Sequence, residues 1–150
     1  ILKKNTSKIK PMQGALKAIS LLKDKADLVV VSNTPINTLL REWKYNNINS
    51  NVLFIGGQET GTKSQMIEAA IMGKYQKNKI LVVGDSFSDF DAAKDNNVLF
   101  YPIIPSKEEE SWDFFLDVGI KDFFNLDYKD KVQKIKISEF KATFSSKLFV

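Results

Sequence analysis

Apolar positions along the chain follow two alternating patterns. Apolar residues three or four positions apart, together with helix-start residues, predict helices that follow Pro11, follow Thr34-Pro35, cover 62–74, cover 86–95 and begin at Ser106. Runs of four apolar residues bounded by polar residues, Gly or Pro predict strands at 28–31, 52–55, 80–83 and 98–101. Strands and helices that alternate in this way predict an α/β fold, with a parallel sheet that carries helices on both faces.

Two of the helix starts have capping sequences. Thr34-Pro35 places a favoured N-cap residue before a proline, which suits the first helical position. Ser106 and Glu109 have the spacing of a capping box. The helix that they would open is expected to turn its apolar side inward, with Trp112, Phe115 and Leu116.

The length of the chain fits one domain. With 150 residues the chain can bury a core of its own, but two domains would be unexpected. We expect residues 1–124 to form this core and residues 125–150 to form a Lys-rich peripheral tail.

No apolar run approaches the roughly 20 residues that span a bilayer. The lack of Cys is compatible with a reducing cytosol, and a cytoplasmic protein is expected.

The amino-acid composition limits which catalytic and metal-binding groups the chain can use. The chain has no Cys and no His, which excludes thiol nucleophiles, Cys/His zinc sites and Ser-His-Asp triads. Carboxylates, lysines, hydroxyls and backbone amides remain. The net charge of +4 comes from lysines that are spread along the chain, and Arg41 is the only arginine. A nucleic-acid interface usually concentrates its basic residues and uses arginine, so a solvated Lys-rich surface is the better interpretation.

Small and polar residues follow three of the predicted strands. They are Ser32-Asn33-Thr34, Gly56-Gly57 and the segment from Gly84 to Asp89. Ligands of parallel α/β sheets bind at the carboxyl ends of the strands. These three loops are therefore the candidates for a polar site.

Gly84-Asp85-x-x-x-Asp89 is the strongest local motif. A carboxylate at a strand end with a second one four residues later can hold a hard divalent cation, directly or through water. Gly84 would let the backbone come close to a bound group. In the alternative interpretation, Ser86 caps the next helix, Asp89 is its capping-box partner and Asp85 is a loop residue.

The other two loops suggest an anion site. Ser32 and Asn33 precede a helix, and a hydroxyl, an amide and free N–H groups there can hold phosphate; an ordinary helix cap is the alternative. The segment Gly61-Thr62-Lys63-Ser64 is not a P-loop, because Lys63 stands one residue too late after the glycine. A lysine at a helix start opposes the helix dipole, which makes sense if it reaches toward a bound anion. A surface lysine is the alternative.

These motifs, in this order and each after a strand, resemble those of the haloacid-dehalogenase superfamily, in particular its phosphoglycolate phosphatase-like branch. The likeness runs from about Pro11 to Phe124. It implies a three-layer Rossmann-like fold and Mg²⁺-dependent hydrolysis of a small phosphorylated substrate. From the spread of the lysines and the short apolar runs, no nucleic-acid or membrane partner is expected. The resemblance also implies site roles for residues of the three loops. Ser32 and Lys63 would be catalytic, Ser32, Asn33, Thr34 and Lys63 would bind the phosphoryl group, and Asp85 and Asp89 would hold the metal.

The chain departs from the family pattern in one respect. The family's first motif, Asp-x-Asp after the earliest strand, supplies the nucleophile and the general acid, and this sequence lacks it. Asp89-Phe90-Asp91 has the letters but does not follow a strand. We therefore expect the central strand, the nucleophile and a cap upstream of Ile1, and no turnover by these 150 residues alone.

Several other functions remain open from the sequence. They are a phosphomutase of the same family, a non-catalytic domain that binds phosphate or Mg²⁺, and a plain nucleotide-binding domain. The last is disfavoured because no Gly-x-Gly-x-x-Gly follows a strand. A dehalogenase is also disfavoured, because that reaction needs no Mg²⁺ whereas the Asp85 and Asp89 pair suggests it.

Overall fold

The computed structural model describes residues 11–147, which form two compact units. The first unit runs to Ala70 and the second begins at Ile71. Each unit contains a pair of parallel strands and several helices, so the expected α/β class is confirmed. Within residues 11–147 no helix combines the length and the apolar character that a membrane span requires.

The first unit is built on strands β1 (Val29–Val31) and β2 (Phe54–Gly56). Val30 pairs with Ile55, and the ladder extends beyond both strands through bonds from Leu53 N to Leu28 O and from Ser32 N to Gly56 O. The helices are α1 (Gln13–Leu22), α2 (Ile36–Tyr45) and α3 (Lys63–Ile71), with 3₁₀ turns at Asn49–Asn51 and Gln58–Thr60.

The second unit is built on strands β3 (Leu81–Gly84) and β4 (Leu99–Pro102), which pair in register from Leu81 with Leu99 to Gly84 with Pro102. A 3₁₀ turn at Lys77–Lys79 precedes them. The helices are α4 (Phe87–Asp95), α5 (Glu108–Phe114), α6 (Ile120–Phe124) and α7 (Lys134–Lys147). Two π-helical turns, Phe115–Gly119 and Lys129–Gln133, precede α6 and α7.

The strands differ in how deeply they are buried. Strand β4 is buried along its whole length. A continuous apolar run such as 28–31 predicts a strand that is buried on both faces, but Val29 is 39% exposed and the rest of β1 is half-buried. The cross-strand partner of Val29, Phe54, is also exposed, because within the described residues nothing covers that end of the strand pair.

The C-terminal segment belongs to the core of the second unit, in contrast to the expected peripheral tail. Tyr128, Val132 and Phe140 are almost fully buried, and the Tyr128 hydroxyl donates to Phe100 O at 2.6 Å. Phe140 lies 5.7 Å from the Phe100 ring, centroid to centroid. Burial raises the pKa of the Tyr128 hydroxyl well above its usual value, so this buried donor stays protonated.

Neither predicted cap forms. Pro35, not Thr34, occupies the cap position of α2, and no side chain of its own segment caps the helix. Ser106 adopts a positive φ of 69°, and α5 begins at Glu108 without a side-chain cap from Lys107. The Ser106 amide instead donates to Glu108 Oε1 at 3.0 Å, which turns the chain before the helix starts.

Candidate functional site

The loop after β1 exposes a hydroxyl and a side-chain amide. Ser32 Oγ accepts a hydrogen bond from Thr34 N at 3.1 Å, which folds the loop into a tight turn. A hydroxyl that accepts a bond can still donate its own hydrogen, so Ser32 is able to bind an anion oxygen. Asn33, between them, is exposed. The loop therefore offers the polar groups that the sequence predicted.

Hydrogen bonds hold the loop after β2 to the loop after β1. Gln58 N donates to Thr34 O at 2.9 Å, and Glu59 Oε2 accepts from Ile36 N at 2.8 Å, so this carboxylate caps α2. Gly57 permits the close approach, because a Cβ there would lie 2.7 Å from the backbone of Ile36. The cap comes from a residue 23 positions along the chain, and no local sequence signal marks it.

Helix α3 begins at Lys63, shortly after the loop that follows β2. Gly61 has a φ of 143°, a conformation that favours glycine. Thr62 and Gln65 form reciprocal bonds, with Gln65 N donating to Thr62 Oγ1 at 3.1 Å and Thr62 N donating to Gln65 Oε1 at 3.0 Å. Thr-x-x-Gln is a capping-box sequence, so this start could have been found from the sequence. Lys63 is the first residue of α3 and is half-buried.

Loss of the Glu59 carboxylate is expected to loosen the start of α2. Glu59→Ala leaves the Ile36 amide without its acceptor, which should lower the free energy of unfolding by about 1 kcal/mol, as for other lost N-caps. Glu59→Gln keeps an oxygen that can accept and should recover much of the loss. Urea denaturation of the two variants beside the unchanged protein measures the difference, and equal losses for Ala and Gln would contradict the capping role.

The loop after β3 is organised by Asp89. The Asp89 carboxylate is buried, and its Oδ2 accepts from Asp85 N at 3.2 Å, Ser86 N at 3.1 Å and Ser86 Oγ at 2.8 Å. Ser86 and Asp89 form the capping box of α4 that the sequence offered as the alternative to metal binding. The bonds to Oδ2 direct that oxygen at the loop backbone, so Asp89 fixes the position of Asp85.

Gly84 makes room for Asp89, not only for a bound group as the sequence suggested. A Cβ on Gly84 would overlap the Asp89 carboxyl group. The carboxylate thus packs directly against the carboxyl end of β3. This contact explains why a glycine ends the strand.

Asp85 has the chemistry of a single carboxylate ligand. Its side chain is exposed at the end of β3, and within residues 11–147 it makes no ion pair or hydrogen bond. No group of three or more acidic side chains that could share a metal occurs in that part of the chain. Mg²⁺ commonly keeps several waters and takes one or two protein carboxylates, so Asp85 fits this ion as one carboxylate ligand, whereas Asp89 Oδ2 is bonded to the loop backbone and positions Asp85.

The expected site residues divide between the two units. Ser32, Asn33, Thr34 and Lys63 lie in the first unit, where the 57–60 loop connects the two segments that carry them. Asp85 and Asp89 lie in the second unit, in one loop held together by hydrogen bonds. The residues of each predicted motif therefore lie in one segment, and hydrogen bonds hold the 32–34 loop to the 57–60 loop and Asp85 to Asp89.

Comparison with known proteins identifies the family. The chain matches no curated protein and no solved structure. Residues 1–103 match the family of haloacid dehalogenase-like hydrolases, a span that includes the loops after β1, β2 and β3. This match covers more than half of the chain, so the protein belongs to the haloacid dehalogenase-like hydrolase family.

Proposed function

We propose that the protein is a Mg²⁺-dependent phosphatase that hydrolyses the monoester of a small phosphorylated metabolite. The observation that carries the proposal is the polar character of the strand-end loops in a chain of this hydrolase family. Ser32 and Asn33 offer neutral donors, Lys63 offers a positive charge and Asp85 offers a carboxylate. These are the groups that binding of a phosphate and a divalent cation requires.

The phosphate-binding role falls to the first unit. The Ser32 hydroxyl donates to one phosphoryl oxygen, while its bond from Thr34 N fixes the direction of that donor. Lys63 neutralises negative charge, and the adverse effect of a cation at the start of α3 is relieved when an anion binds. Asn33 and Thr34 supply further donors. Phosphoryl transfer depends mainly on such positioning and charge stabilisation.

The cation-binding role falls to the second unit. Asp85 holds Mg²⁺ and Asp89 orients the loop through its bonds to Asp85 N and Ser86 N. When bound, the ion supplies Lewis-acid polarisation of the phosphoryl group. In the proposed reaction an aspartate carboxylate attacks phosphorus and the ester P–O bond breaks, while the second aspartate of the Asp-x-Asp motif protonates the leaving alcohol. Water then hydrolyses the aspartyl-phosphate, which releases phosphate and restores the carboxylate. Residues 1–150 have no Asp-x-Asp after a strand, so the proposal assigns both aspartates to a segment outside them.

The proposal extends to the branch and setting of the protein. It belongs to the phosphoglycolate phosphatase-like branch, works in the cytoplasm and takes a small organic phosphate as its partner. The absence of Cys accords with a reducing compartment.

The test is phosphate release by the product of the complete gene. With a panel of small phosphomonoesters, release is expected with Mg²⁺ and is expected to stop in excess EDTA. Lys63→Ala should reduce kcat/KM by about 10²-fold, a loss comparable to that of other groups that stabilise transition-state charge. Lys63→Arg keeps the charge and should lose less. Release that persists in EDTA would refute Mg²⁺ dependence, and equal kinetics for Lys63→Ala and the unchanged protein would make Lys63 a surface lysine.

One observation favours a second function. Because the nucleophile motif is missing from residues 1–150, the same loops could serve a domain that binds phosphate and Mg²⁺ without turnover. Saturable Mg²⁺ binding by the complete gene product, with no phosphate release from any ester of the panel, would favour this second function.

A further inference from the structure

A groove in the second unit is lined by none of residues 84–89, which carry Asp85 and Asp89. It has a volume of about 670 Å³, which is in the range of small-molecule sites. Its walls are one face of the segment that ends in α7, the side of α4 and the edge of β4. Its apolar floor includes Phe90, Val98 and Phe100, all less than 10% exposed.

The rim of the groove consists mainly of hydrogen-bond donors. Four lysines line it: Lys94, Lys129, Lys134 and Lys141. Gln133 also lines it, with its Oε1 accepting from Phe100 N at 2.9 Å, so its NH₂ group is the part left for a ligand. Asp130 is the single acidic residue of the lining. The groove therefore carries excess positive charge.

The lysines of the groove differ from other lysines of the same segment. Lys131 forms an ion pair with Asp127 at 2.9 Å, and Lys136 forms one with Glu139 at 3.1 Å. Neither of these two lysines lines the groove. Within the described residues, the four groove lysines have no carboxylate within ion-pair distance. Lys131 and Lys136, which lie outside the groove, are thus paired with carboxylates, whereas in the described part of the chain the lysines that line the groove are not.

Two of the groove lysines place their ammonium groups near the same aromatic ring. Lys94 Nζ lies 5.4 Å from the centroid of Phe90, and Lys141 Nζ lies 5.3 Å from the same centroid. Lys94 and Phe90 belong to α4, whereas Lys141 belongs to α7. Both ammonium groups therefore belong to the part of the groove around Phe90, and a bound anion there would offset the repulsion between them.

We infer that this groove binds a small ligand with two or more phosphate groups, at a site separate from the proposed catalytic loops. The lysines bind the phosphate oxygens and the Gln133 amide adds a neutral donor. More than one phosphate is needed because Lys134 and Lys141 are seven residues apart on α7, about 10 Å along the helix axis, which a single phosphate does not span. The aromatic floor is buried, so the phosphates supply the recognition and an attached organic group remains at the open side.

The experiment is calorimetric titration of the protein with inorganic tripolyphosphate, in EDTA so that divalent cations play no part. Lys94→Gln/Lys141→Gln should weaken binding by about tenfold or more, because a charge-assisted hydrogen bond contributes about 1.5–3 kcal/mol and 1.4 kcal/mol is tenfold in Kd. Lys131→Gln removes one positive charge from a lysine that is paired with Asp127 outside the groove and is the control, with Kd expected within about twofold of the unchanged protein. Thermal unfolding checks that the double variant is folded.

The other outcomes separate the groove from the proposed active site. Lys63→Ala should leave the Kd for tripolyphosphate unchanged; a loss there would assign the anion to the family's phosphate loops and overturn the inference. ATP with an affinity similar to that of tripolyphosphate would support a nucleoside polyphosphate as ligand, whereas tighter binding of tripolyphosphate would support the inorganic ion. Absence of binding, or equal binding by the double variant and Lys131→Gln, would refute the groove as an anion site whatever the enzyme's activity.

Discussion

Asp85→Asn is expected to reduce Mg²⁺-dependent phosphate release by about 10²- to 10³-fold in the complete gene product, with little change in stability. A metal Lewis acid contributes several kcal/mol to a phosphoryl-transfer transition state, and each 1.36 kcal/mol is tenfold in rate. The side chain is exposed, so its neutral replacement should change the free energy of unfolding by less than about 0.5 kcal/mol.

Asp91→Asn is the matched control for this change. Asp91 is also an exposed aspartate, and it lies in α4, beyond the loop that follows β3. It should keep near-normal kcat and an unchanged dependence of rate on Mg²⁺ concentration. Titration of the rate with Mg²⁺ for both variants distinguishes loss of the ion from a general loss of negative charge. Near-normal turnover by Asp85→Asn would refute the metal assignment.

Phe140→Ala is expected to destabilise the second unit by about 3–5 kcal/mol, the usual cost of a large aromatic deletion in a core. Phe140 is 0% exposed, and its ring lies 5.2 Å from Phe87, 5.7 Å from Phe100 and 4.9 Å from Phe144. Denaturation followed by the fluorescence of Trp112 in a Trp43→Phe background measures this unit, because Trp112 is then the single tryptophan.

Ile135→Ala provides the comparison on the same helix. Ile135 is 60% exposed, so its truncation should change the free energy of unfolding by less than about 0.5 kcal/mol. Phe140→Leu leaves a smaller cavity and should fall between the two variants. Equal stability for Phe140→Ala and Ile135→Ala would contradict the core role of α7.

The strand runs were the most predictable part of the fold. A run of four apolar residues such as Ile80 to Val83 is typical of a strand in a parallel sheet, and every predicted strand overlaps an observed one. The observed strands begin one or two residues later than predicted, because backbone pairing, not side-chain polarity, defines the bounds. The Ser86 and Asp89 cap was also predictable, since both partners are three residues apart.

Contacts between residues that are far apart in the sequence could not be predicted from it. The α2 cap comes from Glu59, so local rules chose the nearer Thr34 incorrectly. The C-terminal segment is rich in lysine, which suggests a peripheral position, yet Tyr128 and Phe140 are buried in the second unit. Such contacts depend on tertiary packing, which residue spacing within one element does not encode.

The fit between Gly84 and Asp89 has a consequence for the evolution of this loop. Any side chain at position 84 would occupy the volume of the Asp89 carboxyl group, so neither position can change alone without breaking the turn that presents Asp85. The two positions should therefore co-vary among related sequences. Lineages that replace Gly84 with alanine or serine should carry a smaller residue at 89 and anchor the loop by a different donor and acceptor pair.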